Sequence, residues 1–270
     1  MTSQNSAVTF RELHAPGKFL VLPNAWDAGS ARLIESRGAE AIATSSAALA
    51  WASGYPDGNA LPIGVLAREV EQIARVLSIP LSVDSEGGYS DDPSRVEENL
   101  FALASAGAVG INLEDGTGTP DLHCAKIEAA KRAARRADVE LFVNARVDVV
   151  LRQLVPQEQA VDETLARARR YIAAGCDGIF VPRLVAAEDI RRVAEAIAPV
   201  PLNVMAVPGL ASAAELRGLG ARRLSAGAAI GRAALDLTRR LTDVFLSDGR
   251  SDDVFAEIRE MTDLNSLFSR

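Results

Sequence analysis

Four helical stretches of this sequence end on nearly the same short phrase: Ser36-Arg37-Gly38-Ala39, Ser105-Ala106-Gly107-Ala108, Ala173-Ala174-Gly175-Cys176 and Gly218-Leu219-Gly220-Ala221. In each, the glycine stands where a helix must stop, and a new apolar run follows. Glycine there permits the left-handed conformation that ends a helix. Its recurrence points to one repeating strand–helix unit. Eight apolar runs fit as strands, over residues 19–22, 41–44, 80–84, 109–114, 141–145, 178–181, 201–204 and 223–226. Amphipathic stretches separate them, at 30–37, 65–77, 93–106, 125–137, 157–174, 187–198 and 211–216. Asp92-Pro93 and Val155-Pro156 mark helix starts, where proline is tolerated. Such alternation implies parallel strands joined by helical crossovers. The length of 270 residues would also allow two smaller domains. Eight units in unbroken succession instead predict one α/β domain over 1–270, a (β/α)8 TIM-type barrel, a fold that commonly takes about 250 residues. Residues 1–8 read as a loose lead-in. Helices over 229–246 and 253–261 exceed what a simple barrel needs and are expected to pack on a partner subunit.

Aromatic residues make up 5% of the chain, and small and branched side chains dominate its hydrophobic 48%. That suits tightly packed parallel strands under helices. The net charge of −7, with no basic stripe, argues against nucleic acid as a partner. The basic run 131–136 has helical spacing and reads as an exposed helix face. Cys124 and Cys176 form no CxxC pair, which fits a reducing cytoplasm. No apolar run reaches the ~18 residues of a membrane span, and residues 1–8 lack a signal-peptide core.

In a parallel barrel the site forms at the C-terminal ends of the strands. Here those ends carry Asn24; Thr44, Ser45 and Ser46; Asp84 and Glu86; Glu114 and Asp115; Asn144, Arg146 and Asp148; Arg183; and Asn203. Each carboxylate alone reads as well as a helix cap, as Asp92 and Asp162 do. Several converging carboxylates without matching lysines, however, need a positive charge among them. Mg²⁺, or Mn²⁺ in its place, takes such oxygen ligands together with waters and substrate. Arg146 and Arg183 could grip a substrate carboxylate through forked hydrogen bonds. The Thr44-Ser45-Ser46 turn offers hydroxyls and amides to another oxygen. A small 2-oxo-carboxylate chelating the metal would satisfy all of these.

The motifs Leu22-Pro23-Asn24-Ala25-Trp26-Asp27-Ala28, Thr44-Ser45-Ser46-Ala47, Gly54-Tyr55-Pro56-Asp57-Gly58, Val83-Asp84-Ser85-Glu86-Gly87-Gly88-Tyr89, Asn112-Leu113-Glu114-Asp115, Asn144-Ala145-Arg146-Val147-Asp148 and Ile179-Phe180-Val181-Pro182 occur in an order and spacing that resemble the isocitrate lyase / phosphoenolpyruvate mutase superfamily. The resemblance runs from about residue 10 to 246. It implies a barrel whose last helix is swapped between subunits, in a homodimer or a dimer of dimers, a homotetramer. It implies Mg²⁺ and chemistry through a metal-stabilised enolate. Position by position, Asp84 matches the main metal carboxylate, Glu86 a second one (an Asp in the family), and Glu114 the next acidic ligand. Thr44, Ser45 and Ser46 match the turn that binds the substrate's carboxylate and oxo group. Arg146 matches the arginine for the substrate carboxylate, Asn203 a polar substrate residue, and Trp26 and Asp27 a loop lining the site. Asp57 matches an acidic residue near the reacting centre. The catalytic roles thus fall to Asp57, Arg146 and Glu114.

Two departures narrow the reaction. The isocitrate and methylisocitrate lyases carry a Lys-Lys/Arg-Cys-Gly/Ser-His segment after the fourth strand; here residues 114–124 have no Lys or Arg before Cys124, and His123 comes before it, not after it. Neighbours on a starting helix point apart, so the two are not expected to activate one another, and Cys176 reads as structural. The phosphorus-transferring branch places Lys and Asn in the same loop, and residues 116–122 have none. What remains resembles Mg²⁺-dependent lyases that cleave or decarboxylate small 2-oxo or 2-hydroxy acids such as oxaloacetate. The alternatives are a phosphonate mutase or hydrolase of the phosphonopyruvate or carboxyphosphonoenolpyruvate type, and a 2-oxo-acid-binding protein with little catalysis.

Overall fold

The computed structural model describes residues 3–258 and 263–269. Nine parallel strands form a nearly closed barrel: β1 (Leu20–Leu22), β2 (Asn24–Ala25), β3 (Ile42–Thr44), β4 (Leu81–Asp84), β5 (Gly110–Glu114), β6 (Phe142–Arg146), β7 (Gly178–Phe180), β8 (Leu202–Met205) and β9 (Arg223–Ser225). All eight predicted runs contain strand, and beyond the first, Pro23, which has no N–H to donate, splits β1 from a further short strand, β2. The split closes the ring. β1 pairs with β9 and β2 with β3. Across the break, Leu22 O accepts from Ala226 N–H at 3.2 Å and Pro23 O from Ala43 N–H at 3.0 Å.

The crossover helices are α2 (Ala28–Ser36), α4 (Ile63–Val76), α5 (Pro93–Ser105), α6 (Pro120–Ala137), α8 (Ala160–Ala173), α9 (Ala187–Ile197) and α10 (Ala213–Gly218). The four predicted glycines end α2, α5, α8 and α10 with φ of +92°, +112°, +100° and +90°. At Gly107 the reason is doubled, since a Cβ would sit 2.7 Å from Ala74 Cβ on the neighbouring helix. Two short helices were not anticipated, α3 (Ser46–Ala52) and α7 (Val149–Arg152), both starting just beyond strand ends. The main core lies between strands and helices, with Val83, Ile111, Val143, Ile179 and Val204 packed under Val70, Leu100, Ala130 and Val193.

Residues 3–8, expected as a loose lead-in, are instead helical. They belong to α1 (Ser3–Glu12), which seals the N-terminal mouth of the barrel. Ala7 and Phe10, three residues apart, supply its buried face. Phe10 meets Phe142 edge-on at 5.6 Å, and a Cβ on Gly110 would stand 2.6 Å from its ring. The polar residues around them conceal this stripe in the sequence. At the other end, α11 (Ala229–Asp248) covers the predicted 229–246 helix and is followed by α12 (Ser251–Phe255) and α13 (Leu264–Phe268). The helix expected at 253–261 is thus observed only to Phe255, and residues 259–262 lie outside the described ones. α13 leans on α2, where Arg32 Nε donates to Leu267 O at 3.0 Å. Among the described residues no helix is long and apolar enough to cross a membrane.

Candidate active site

Asp84 is the last residue of β4 and sits beside the end of β3. Its N–H donates to Thr44 Oγ1 at 2.9 Å, and its Oδ2 accepts from Ser46 N–H at 3.2 Å. Ser45 caps α3 through its hydroxyl, which accepts from Ala48 N–H at 3.4 Å. The Thr44-Ser45-Ser46 turn is therefore a strand end and helix start aimed at one carboxylate. Asp84 Oδ1 is buried and has no hydrogen-bond partner among the described residues. A buried carboxylate oxygen left bare is costly unless a cation or proton meets it.

Glu86 follows in a left-handed conformation, φ +46°. Its Oε1 accepts from the Tyr89 hydroxyl at 3.1 Å and its Oε2 from Asn59 N–H. Burial raises its pKa, the Asn59 amide opposes, and the charges of Asp84 and Asp57 add to the rise. Asp57 itself is exposed, on the loop that Asn59 ties to Glu86.

Glu114 ends β5 and Arg146 ends β6, in register with one another. Arg146 Nη1 lies 2.6 Å from Glu114 Oε2. Nε and Nη2 of the same guanidinium reach Asp148 at 2.6 and 3.1 Å. Arg152, at the end of α7, donates to Asp148 at 2.9 Å and approaches Glu114 at 3.5 Å. Asp148 is fully buried, and its N–H donates to Asp115 Oδ1 at 2.8 Å. Asp115 in turn accepts from Arg167 at 2.9 Å and Tyr171 at 2.7 Å. Burial disfavours the charge on Arg146, yet Glu114, Asp148 and Asp84 outweigh it and raise its pKa. Burial pushes Glu114 up to about 7, with Arg146 opposing and Asp148 and Asp84 adding to the rise. A carboxyl poised there can hold or release a proton near neutral pH.

The predicted metal carboxylates are not gathered into one cage. Among the described residues no three His, Cys, Asp or Glu side chains stand close enough to share an ion. Glu114 turns to Arg146, and Glu86 to Asn59 and Tyr89. Asp84 alone offers a bare buried oxygen. That fits Mg²⁺, which is often held by one or two carboxylates with water and substrate filling its remaining positions.

The other residues singled out from the sequence have varied surroundings. Asp27 is the N-cap of α2, accepting from Ser30 N–H at 2.6 Å in a capping box. Trp26 packs on α11, its Cε3 lying 3.2 Å from where a Cβ on Gly231 would stand. Asn203 is buried in the barrel lumen, accepting from Asn144 at 3.1 Å and donating to Ser225 Oγ at 3.2 Å. Arg183 is exposed, with φ +63°. His123 and Cys124 diverge on α6: His123 is buried against Tyr171, while the Cys124 thiol points to Arg170 O at 3.7 Å. Burial raises the Cys124 pKa, so no activated pair forms.

The sequence reading overlooked Lys126 and Arg152. Together with His123, Glu114, Tyr89 and Asn59 they line a cleft of about 430 Å³ beside the strand ends. The signal for Lys126 was its phase. His123, Lys126, Ile127 and Ala130 share the buried face of α6, so a lysine falls within an apolar stripe.

The bare aspartate, the helix-start turn and the buried arginine all stand at the strand ends, the face where parallel barrels carry their active sites. The family profile described as phosphoenolpyruvate phosphomutase matches residues 10–246. The chain belongs to that family, within the isocitrate lyase / PEP mutase superfamily. It is 38% identical over 224 residues to an uncharacterized protein of Mycobacterium tuberculosis, covering 82% of each chain. An oxaloacetate decarboxylase of Paraburkholderia xenovorans is 32% identical over 197 residues, or 68% of this chain and 62% of that one. A provisionally named phosphonomutase of Burkholderia cenocepacia J2315 superposes with a TM-score of 0.84 at 41% identity, over 89% of this chain and all of that one.

Proposed function

We propose that this chain is a Mg²⁺-dependent carbon–carbon lyase or decarboxylase acting on a small 2-oxo or 2-hydroxy acid of the oxaloacetate type. The observation that carries the reading is Asp84, which offers a buried bare oxygen beside the Ser46 amide. Bound there, Mg²⁺ (or Mn²⁺) would supply a positive charge to stabilise negative charge developing on the substrate's 2-oxo oxygen. Asp84 would hold it directly, with Glu86 and Glu114 acting through water. The Thr44–Ser46 turn would orient the substrate's oxygens, and Arg146, fixed by Asp148, would bind its carboxylate. Glu114, in contact with Arg146, would carry the proton. Asp57 would reach the reacting centre from its loop, and Trp26 would support the site's wall from beneath α11. The identity to an oxaloacetate decarboxylase supports the same reading. Pyruvate release from a panel of 2-oxo and 2-hydroxy acids with Mg²⁺ tests it; no turnover of any member would overturn it.

The second reading, phosphonate mutase or hydrolase, is favoured by the similarity to the provisionally named phosphonomutase. Phosphorus NMR on phosphonopyruvate separates the two. For the assembly, we propose a homodimer or homotetramer formed through the C-terminal helices. Phe245, Leu246, Phe255 and Leu264 are exposed there, and light scattering gives the stoichiometry. Cys124 and Cys176, both free thiols, accord with a cytoplasmic location.

A further inference from the structure

A fully buried cation stands in the barrel lumen. Arg223 reaches in from β9 and is 1% exposed. Its Nη2 donates to Asn112 Oδ1 at 3.2 Å, while Nε and Nη1 are buried with no hydrogen-bond partner among the described residues. The Phe10 ring covers it on the floor side, 5.9 Å from the guanidinium carbon. A buried charge met by one neutral amide is costly unless an opposite charge faces it. The surroundings point to that charge. Asn112 stands in register with Asp84 on the next strand. Ser82 and Asp84 are alternate residues of β4 and share the lumen face. Ser82 Oγ and Asp84 Oδ1 are, like the two Arg223 nitrogens, buried and unpartnered among the described residues. A Cβ on Gly110 would stand 2.6 Å from the Phe10 ring and 3.1 Å from Ser82 Oγ, so these groups border one region. Arg146, the other buried cation near Asp84, is already held by Glu114 and Asp148. Burial lowers the Arg223 pKa to about 9 and Asp84 opposes the fall, so the guanidinium is charged at neutral pH.

We propose that Arg223 is the fixed counter-charge of Asp84 and sets how tightly the metal site holds its ion. Arg223 opens β9 and Asp84 ends β4, so the guanidinium lies on the floor side of the carboxylate and the ion would bind from the strand-end side. A permanent positive charge beneath Asp84 repels a divalent cation brought to it. The ion is then held less tightly than the carboxylate alone would hold it, and it exchanges readily with solution. Arg223 touches neither ion nor substrate; it is a positioning residue that acts through Asp84. The inference rests on the reading of Asp84 as the Mg²⁺ carboxylate and adds the residue that tunes its affinity.

The test is metal titration by calorimetry on the full chain at pH 7.5, with no turnover involved. Arg223→Met puts an apolar side chain in place of the charge and should bind Mg²⁺ at least about tenfold more tightly than the parent. Arg223→Lys keeps the charge and should stay within about twofold of it. Coulomb energy scales with the charge of the ion, so La³⁺ should gain more than Mg²⁺, about thirtyfold where Mg²⁺ gains tenfold. A purely structural role would loosen both ions when Arg223 is lost, the opposite direction. Should Arg223→Met disturb the fold, Arg223→Gln, which keeps an amide N–H for Asn112, carries the same expectation. Unchanged or looser Mg²⁺ binding in a folded charge-free variant overturns the inference and leaves Asp84 as the metal carboxylate. No Mg²⁺ binding by the parent, or binding undiminished in Asp84→Asn, overturns the metal reading and the inference with it.

Discussion

Arg146 and Asp148 are joined by two near-parallel hydrogen bonds, Nε to Oδ1 at 2.6 Å and Nη2 to Oδ2 at 3.1 Å, across a single intervening residue. The fork uses two nitrogens of the guanidinium and turns Nη1 toward Glu114. Lysine keeps the charge but cannot form that fork. Arg146→Lys should therefore weaken 2-oxo-acid binding about 10–100-fold while the protein remains folded. Calorimetric affinity beside a far-ultraviolet dichroism spectrum checks this; unchanged affinity would remove Arg146 from the substrate site.

Asp84→Asn should remove metal binding. A ligand bound only by the folded state raises the melting temperature. Millimolar Mg²⁺ should therefore stabilise the parent but not the variant, whose affinity should fall by about two orders of magnitude or more. A variant that still gains thermal stability from Mg²⁺ would place the ion elsewhere.

The histidines set part of the acid limit. His14 is buried against Phe142, and burial, with Arg223 adding, lowers its pKa to about 3; His123 is lowered to the same value. Both values lie below the ~6.5 of an unfolded chain. The unfolded state therefore binds these protons first as pH falls. The stability that neutral burial provides is complete above about pH 6.5 and is lost between there and pH 3. Each histidine should contribute a slope approaching about 1.4 kcal/mol per pH unit in the middle of that window. In urea titrations from pH 7.5 to 4.5, His14→Gln should flatten the acid limb by that increment. An identical slope in both proteins would refute the assignment.

Phe10→Ala should cost about 3–5 kcal/mol, because it empties a sealed position between Gly110 and Phe142. Arg223, whose guanidinium lies 5.9 Å from the Phe10 ring, would lose its apolar cover as well. Chemical denaturation measures the loss, and a cost under 1 kcal/mol would show that α1 is not needed to close the barrel floor.

The barrel was legible because its punctuation is local: Gly38, Gly107, Gly175 and Gly220 each carry a backbone demand that one residue type meets without strain. Pro23 was visible too, but not that its missing N–H divides a strand, which depends on what lies on either side. α1 was missed because two buried side chains among polar neighbours give no usable periodicity, and the surface that buries them comes from distant strands. Within the site, Asp84 and Arg146 stood at strand ends, where topology alone marks a residue for the active face. Asp27 entered only through the family resemblance, as part of a loop lining the site, yet it serves as a helix cap, and no spacing distinguishes those two uses. Lys126 was hidden for the opposite reason, lying in mid-helix where position predicts nothing and only its phase within an apolar stripe gives it away.

The seal formed by Phe10 also fixes an order of events during synthesis. Its helix emerges from the ribosome early, but Phe142 and Arg223, which it must meet, are far downstream. At about 5–20 residues per second the nascent chain carries this apolar plug for on the order of ten seconds before its seat exists. The helix is thus made well ahead of its seat, and until Phe142 and Arg223 are in place Ala7 and Phe10 have nothing to bury them.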